Sequence, residues 1–172
     1  NVLIPCRQTF AFAVADLVDI VSKNGCLLLN VGPRSDGTIT EEESSILREI
    51  GQWLAVNGEG IYETTHWKTY GEGPTEIPKG AFTDTKRSTF TGQDIRFTQK
   101  GDALYAILLA WPGETAVIQA LGRDKGLWSK PITKVELLGH SGPLTWQQDG
   151  GALTVQLPAQ PPCAHACTLK IR

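Results

Sequence analysis

The chain has 172 residues, of which 20% are charged and 41% are hydrophobic, and its formal net charge is −2. This charge predicts no basic surface for nucleic acid, and no apolar run approaches the roughly 20 residues of a membrane-spanning helix. The length allows one or two domains, and the composition predicts neither a nucleic-acid nor a membrane partner.

The first periodic segment lies near the N-terminus and predicts a helix. Its apolar residues recur at helical spacing: Phe10, Val14, Leu17, Val18 and Val21. The pair Asn24-Gly25 supplies a residue able to take the left-handed conformation that ends many helices. Residues 17–25 are therefore interpreted as the last turns of a helix.

Residues 26–31 follow as CLLLNV, an apolar run without polar alternation. Such a run predicts a strand that is covered on both faces, as in a parallel sheet. A strand of this kind needs neighbours on both edges. We expect residues 26–31 to be paired by another chain or covered by the flanking helices and the following domain.

A second helix is predicted after a turn at Asp36-Gly37. Thr40 with Glu43 three residues later forms the pattern of a capping box. The helix then presents one apolar face, made by Ile46, Leu47, Ile50, Trp53 and Leu54. Asn57-Gly58 is predicted to end it.

The periodicity changes after Tyr62. Residues 64–90 are rich in Thr, Gly, Pro and Lys and predict a linker. Short strands follow at 94–99, 103–111, 116–121, 132–138, 152–157 and 168–171, with hairpin turns at 100–102 and 149–151. This spacing predicts an antiparallel sandwich.

Two strings in the first part of the chain, SKNGCLLLNVGPRSDGTI and IGQWLAVNGEGIYET, resemble the last barrel strand and last helix of the glycoside hydrolase family 29 α-L-fucosidases. Two later strings, DIRFTQKGDALYAILLAWPGE and VELLGHSGPLTWQQDGGALTVQLP, resemble the C-terminal β-sandwich of that family. The resemblance covers most of the chain from about Leu17 onward.

The resemblance implies a remnant of a (β/α)₈ barrel, in the order helix, strand, helix, followed by an all-β antiparallel sandwich. The domains would be residues 1–63 for the barrel part, 64–90 for the linker and 91–172 for the sandwich. A complete barrel needs roughly 250 residues. The chain also begins with Asn1 and contains no methionine. We therefore expect most of the catalytic domain to lie outside this sequence.

The activity implied by the resemblance is hydrolysis of terminal α-L-fucose from glycans or fucosides, with retention and without a cofactor. The substrate partner would be a fucosylated glycan or fucoside. A secreted, periplasmic or lysosomal location would follow from the family. The family's nucleophile motif does not occur in this sequence, so no catalytic residue is assigned by resemblance.

Three polar residues near the predicted strand are candidates for an active-site role. Asp36 is a catalytic candidate, because the loop after a barrel strand lies on the face that carries active sites. A turn aspartate before glycine is the simpler interpretation of the same residue. Asn30 and Arg34 are candidates for binding substrate at the pocket, with a backbone hydrogen bond as the simpler role of Asn30.

The C-terminal sequence Cys163-x-His165-x-Cys167 raises the question of a metal site. Structural zinc usually takes four ligands in two separated pairs, and no matching second pair is present. We predict no metal and interpret the cysteines as packing residues or a disulfide. Four cysteines permit three pairings, and the sequence does not choose among them.

The tryptophans of the second domain raise the question of a sugar-binding surface. Trp128 lies in a predicted loop near Gly126 and Lys130 and is the candidate for carbohydrate binding, while sandwich core is the default for the others. A non-catalytic module that binds carbohydrate or protein is thus the alternative to an α-L-fucosidase part. A third possibility is a chain active by itself, as a homo-oligomer or together with the missing barrel fragment.

Overall fold

The computed structural model describes residues 9–76 and 89–172. The helices are α1, Thr9–Ser22, and α2, Glu41–Asn57, the latter followed by a 3₁₀ turn at Gly58–Gly60. The strands are β1 Thr65–Glu72, β2 Ile95–Lys100, β3 Ala103–Leu108, β4 Thr115–Ile118, β5 Val135–Leu137, β6 Trp146–Gln148, β7 Leu153–Gln156 and β8 Cys167–Ile171. None of the described helices is both long and apolar enough to cross a lipid bilayer.

The strands form two antiparallel sheets. One has five strands in the order β1-β2-β3-β8-β5, and the other has three in the order β4-β7-β6. Buried side chains of both sheets, among them Leu104 and Leu153, belong to one continuous apolar core. The predicted antiparallel sandwich is confirmed, and the predicted strands are present with ends shifted by a few residues.

The central strand β3 is buried along its whole length because both of its faces are covered. Successive side chains of a strand point to opposite faces. Leu104, Ala106 and Leu108 belong to the core between the sheets, whereas Ile107 belongs to a second apolar cluster under the helices. The five-stranded sheet is therefore the middle layer of the molecule.

The two helices form the third layer. Val14 and Val18 of α1 and Trp53 of α2 pack with Ile107 and with Ala166, which precedes β8. The predicted capping box starts α2, since the Thr40 hydroxyl accepts from the Glu43 amide at 3.1 Å. The helices thus lie on the outer face of the five-stranded sheet.

The predicted helix ends are correct in position, but only the first is left-handed. Asn24, with φ of +64°, lies two residues after Ser22, the last residue of α1. Gly58 has a right-handed conformation and continues into the 3₁₀ turn. A Cβ at residue 58 would lie 2.7 Å from the ring of the exposed Tyr62, so a larger residue here would require that side chain to shift.

The prediction of a linker over residues 64–90 was wrong at its start, because β1 lies within it. β1 is an edge strand in which Trp67 is the one buried side chain, so it lacks the apolar alternation that marks a strand in sequence. Its pairing with β2 shifts register between His66 and Gly71. Residues 77–88 of the predicted linker lie outside the described residues.

The predicted strand at residues 26–31 is not a strand in this structure, because no described strand pairs with it. Its side chains alternate between exposed and half-buried, the period of two of an extended chain. Leu28 is 93% exposed. Coverage by the flanking helices and the sandwich, one of the two expected arrangements, is therefore wrong.

Candidate functional site

The segment between the helices carries the three polar candidates. Asn30, Arg34 and Asp36 are all exposed. Asp36 lies in a closed turn, in which the Arg34 amide donates to the Thr38 carbonyl at 2.7 Å and Gly37 has φ of +84°. The structure thus brings the candidates into one short segment, with Asp36 in a tight turn.

The Asp36 carboxylate accepts hydrogen bonds within its own turn. Its Oδ1 accepts from the Thr38 hydroxyl at 2.7 Å and from the Thr38 amide at 2.9 Å. The hydroxyl and the amide, in that order, hold the pKa of Asp36 below its usual value. An ionised, exposed carboxylate is suited to fixing a turn, whereas a general acid needs a raised pKa.

Glu43 anchors the same segment to α2. Its Oε1 accepts from the Gly32 amide at 3.2 Å, and its Oε2 accepts from the Thr40 hydroxyl at 3.0 Å. The Thr40 hydroxyl is the main cause that lowers the pKa of Glu43. Glu43 therefore completes the capping box and also positions the end of residues 26–31.

A buried ion pair that was not predicted from sequence joins α1 to the five-stranded sheet. The Arg96 Nε lies 2.7 Å from the Asp19 Oδ1, and the other carboxylate oxygen lies 2.6 Å from the Lys23 Nζ. Arg96 is 3% exposed and also donates to the Ile95 and Glu72 carbonyls. The sequence feature that could have indicated this buried pair is Asp19, a charged residue between Val18 and Ile20 in a mainly apolar helix.

Buried polar contacts join α2 to β8. The Trp53 indole donates to the Ala166 carbonyl at 2.6 Å, and the Thr168 amide donates to the Asn57 Oδ1 at 3.1 Å. The Asn57 amide nitrogen donates to the Trp53 carbonyl at 3.3 Å and to the Cys163 sulfur at 3.4 Å. These contacts, here called the α2–β8 junction, fix the helix against the sheet.

The Cys163-x-His165-x-Cys167 sequence does not converge on one point. The two sulfurs are 3.5 Å apart, but the His165 ring packs edge-on against Phe10, with centroids 4.2 Å apart. Burial lowers the pKa of His165. The described ranges 9–76 and 89–172 contain no group of three His, Cys, Asp or Glu side chains arranged for a metal ion.

Four tryptophans pack against the core between the sheets. Trp67 is buried, and Trp111, Trp128 and Trp146 are partly buried against the same cluster. The Trp128 indole nitrogen is buried without a hydrogen-bond partner among the described residues. The candidate platform at Trp128 is therefore a core-packed side chain and not an open indole face.

Comparison with known proteins gives two family matches in chain order. Residues 8–59 match the model described as α-L-fucosidase, and residues 88–172 match the model of the α-L-fucosidase C-terminal domain. The first match spans both helices and the segment between them. The second spans the strands from β2 onward.

Relatives and solved structures agree with these matches. The human plasma α-L-fucosidase is 37% identical over 167 residues, and the α-L-fucosidase of Branchiostoma floridae is 35% identical over 161 residues. The alignments cover 92% and 91% of this chain but 31% of each relative, so the chain spans about a third of their length.

A crystal structure of Thermotoga maritima α-fucosidase in complex with fucose is similar to this fold with a TM-score of 0.73 and 28% identity, over 96% of this chain and 34% of that one. The similarity therefore includes the helical layer as well as the two sheets. From the matched models, the relatives and this fold, the chain belongs to the α-L-fucosidase family.

Proposed function

We propose that this chain supplies the last barrel unit and the supporting sandwich of an α-L-fucosidase that removes terminal α-L-fucose from glycans or fucosides. The observation that carries the proposal is the match of one chain to both family models, in order, over residues 8–59 and 88–172. The fucose in the similar Thermotoga structure supports the substrate class. The proposed barrel part ends near Tyr62, and the proposed sandwich begins with β1.

The catalytic carboxylates are proposed to come from other residues of the barrel. A retaining glycosidase needs two carboxylic groups about 5–5.5 Å apart, one of them with a raised pKa. The carboxylates of Asp36 and Glu43 in the candidate segment have lowered pKa values and accept local hydrogen bonds. We assign Asp36 the role of holding the turn, and Asn30 and Arg34 the role of lining the substrate pocket.

Residues 26–31 are proposed to pair with further barrel strands. An apolar segment whose Leu28 is 93% exposed, and beside which no described strand lies, presents apolar surface that favours association. Strands of the barrel fragment fit this role, since the family match extends over this segment. A second copy of the chain is the competing partner.

A chimera tests the proposal. The 167 aligned residues of the human plasma relative are replaced by this chain, and release of nitrophenol from nitrophenyl α-L-fucoside is measured. We expect turnover by the chimera, and none by the 172-residue chain alone or by the relative truncated before the segment. A folded, monodisperse chimera without turnover would refute the proposal.

Asp36→Asn in the chimera separates the two roles of Asp36. We expect kcat to change by less than about tenfold, because an asparagine side chain still accepts a hydrogen bond from Thr38. Loss of a catalytic carboxylate would instead lower kcat by about 10⁴-fold or more. Glu42→Gln, at an exposed carboxylate of α2, is the matched control.

The alternative of a carbohydrate-binding module has no support from the tryptophans, since the side chains that would stack on sugar pack against the core. Turnover by the isolated chain that persists through purification would instead support the third possibility, a chain active by itself.

A further inference from the structure

The loop before β8 brings two thiols into contact. The Cys163 and Cys167 sulfurs are 3.5 Å apart, and a disulfide needs them to approach to about 2.05 Å. Cys163 is half-buried and Cys167 is buried, whereas Cys26, the other described cysteine, is exposed. Among the three described cysteines, the structure therefore brings Cys163 and Cys167 together.

The two thiols differ in their surroundings. Cys163 can accept hydrogen bonds from the Cys167 thiol and from the Asn57 amide at 3.4 Å. The Cys167 contact is the main cause that lowers the pKa of Cys163, against the effect of burial. The same contact and burial raise the pKa of Cys167. His165 lies between the two cysteines in sequence, but its ring packs on Phe10.

We propose that Cys163 and Cys167 are a dithiol–disulfide pair, with Cys163 as the attacking sulfur and Cys167 as the resolving one, and with a small disulfide such as glutathione disulfide as the oxidant. The Cys163 thiolate attacks one sulfur of glutathione disulfide, forming a mixed disulfide and releasing a glutathione thiolate. Cys167 then loses its proton and attacks the Cys163 sulfur, which releases the second glutathione thiolate. Two protein thiols are oxidised and one glutathione disulfide is reduced.

This pair belongs to the α2–β8 junction. The Cys163 thiol lies 3.3 Å from the Ala166 carbonyl, which also accepts from the Trp53 indole, and the Cys167 thiol lies 3.3 Å from the His165 carbonyl. Oxidation removes both S–H donors from this loop and ties its ends together. The redox state of the pair is thus coupled to the contact between the helical layer and the sheet, independently of any hydrolytic activity.

The full chain allows a direct test by tryptic mass spectrometry. No lysine or arginine lies between Lys134 and Lys170, so peptide 135–170 contains both cysteines, while Cys26 and Cys6 fall in peptides 24–34 and 1–7. The folded protein is incubated with glutathione disulfide, and free thiols are then alkylated before digestion. We expect both cysteines of peptide 135–170 to escape alkylation. The peptide should then weigh about 2 Da less than its reduced, unalkylated form, because disulfide formation removes two hydrogens.

Two serine variants test the order of attack. Cys167→Ser is expected to accumulate a glutathione adduct at Cys163, whereas Cys163→Ser is expected to leave the buried Cys167 largely unmodified. Cys26→Ser is the control and should retain the intramolecular disulfide. The proposal is overturned if both thiols of peptide 135–170 stay open to alkylation, if the disulfide links two peptides, or if adducts form equally on both single-thiol variants.

Discussion

In the two-sheet region the core leucines are fully buried, as Leu104 and Leu169 show, whereas in the helical region Leu28 is 93% exposed and Leu54 is only half-buried. The sheets complete their own core because their inner faces cover each other. The helices cover one face of β3, but their connecting segment has no described strand beside it. The difference indicates that the two sheets bury their common core without residues 26–31, and it supports the proposal that further barrel strands complete the helical region.

Breaking the ion pair between the regions is expected to have the largest effect. Arg96→Ala leaves the buried Asp19 carboxylate with Lys23 as its remaining ionic partner among the described residues, which should lower the free energy of unfolding by about 3–5 kcal/mol. Urea unfolding monitored by tryptophan fluorescence measures the change. Replacing both residues by apolar ones, Asp19→Leu with Arg96→Met, should restore most of the loss. A single variant as stable as the parent would contradict this account of the contact.

Truncation of three leucines in different environments measures how the two regions differ in packing. We expect Leu104→Ala to cost about 2–5 kcal/mol, because it leaves a cavity in a closed core. Leu28→Ala should change the free energy of unfolding by less than about 0.5 kcal/mol, and the loss for Leu54→Ala should lie between those of the other two variants. Equal losses at Leu28 and Leu104, measured by the same urea titration, would mean that residues 26–31 are covered in solution.

Asn57→Ala tests the α2–β8 junction. The Thr168 amide would remain buried without its acceptor, at a cost of about 2 kcal/mol. Amide hydrogen exchange of α2 should accelerate more than that of β2 or β3. Gln52→Ala, on the exposed side of the same helix, serves as the control. Equal acceleration throughout the protein would show that the junction does not act locally.

Asp94 predicts a pH dependence that belongs to the two-sheet region. Burial raises its pKa, but hydrogen bonds from Thr91 and Thr75 outweigh burial, so that the pKa lies below the usual 3.8. Because the folded pKa is depressed, the stabilisation is present above the ordinary value and is lost as pH falls through the folded pKa. Asp94→Asn should cost about 1.5 kcal/mol at pH 6, and this difference should shrink as the pH falls to about 3. A difference that does not change with pH would refute the assignment.

Local patterns in the sequence predicted much of the fold. Thr40 and Glu43 identify the start of α2, and Leu153 with Val155 identifies the buried face of β7, because caps and strand alternation depend on near neighbours. β1 escaped prediction because an edge strand with one buried side chain has no clear pattern. The Asp19–Arg96 pair joins residues 77 apart, so the sequence shows a charged residue in an apolar helix but does not identify its partner.

The candidate site was predictable in position but not in chemistry. Asp36-Gly37 predicted a turn, and in the structure the Asp36 carboxylate accepts hydrogen bonds from the Thr38 amide and hydroxyl. The apolar run at residues 26–31 predicted a strand buried on both faces, yet this requires partners that the described residues do not supply. A sequence pattern indicates that a segment needs to be covered, but the pattern does not say which chain covers it.

Hydrogen exchange of residues 26–31 measures whether this segment is covered when the chain is a monomer. The full chain is studied at a concentration where light scattering gives the monomer mass, and exchange is compared with that of β3. We predict that amides of 26–31 exchange within about tenfold of the rate of an unstructured peptide, while those of β3 are strongly protected. Protection of 26–31 equal to that of β3 in the monomer would contradict the claim that the helical region is incomplete by itself.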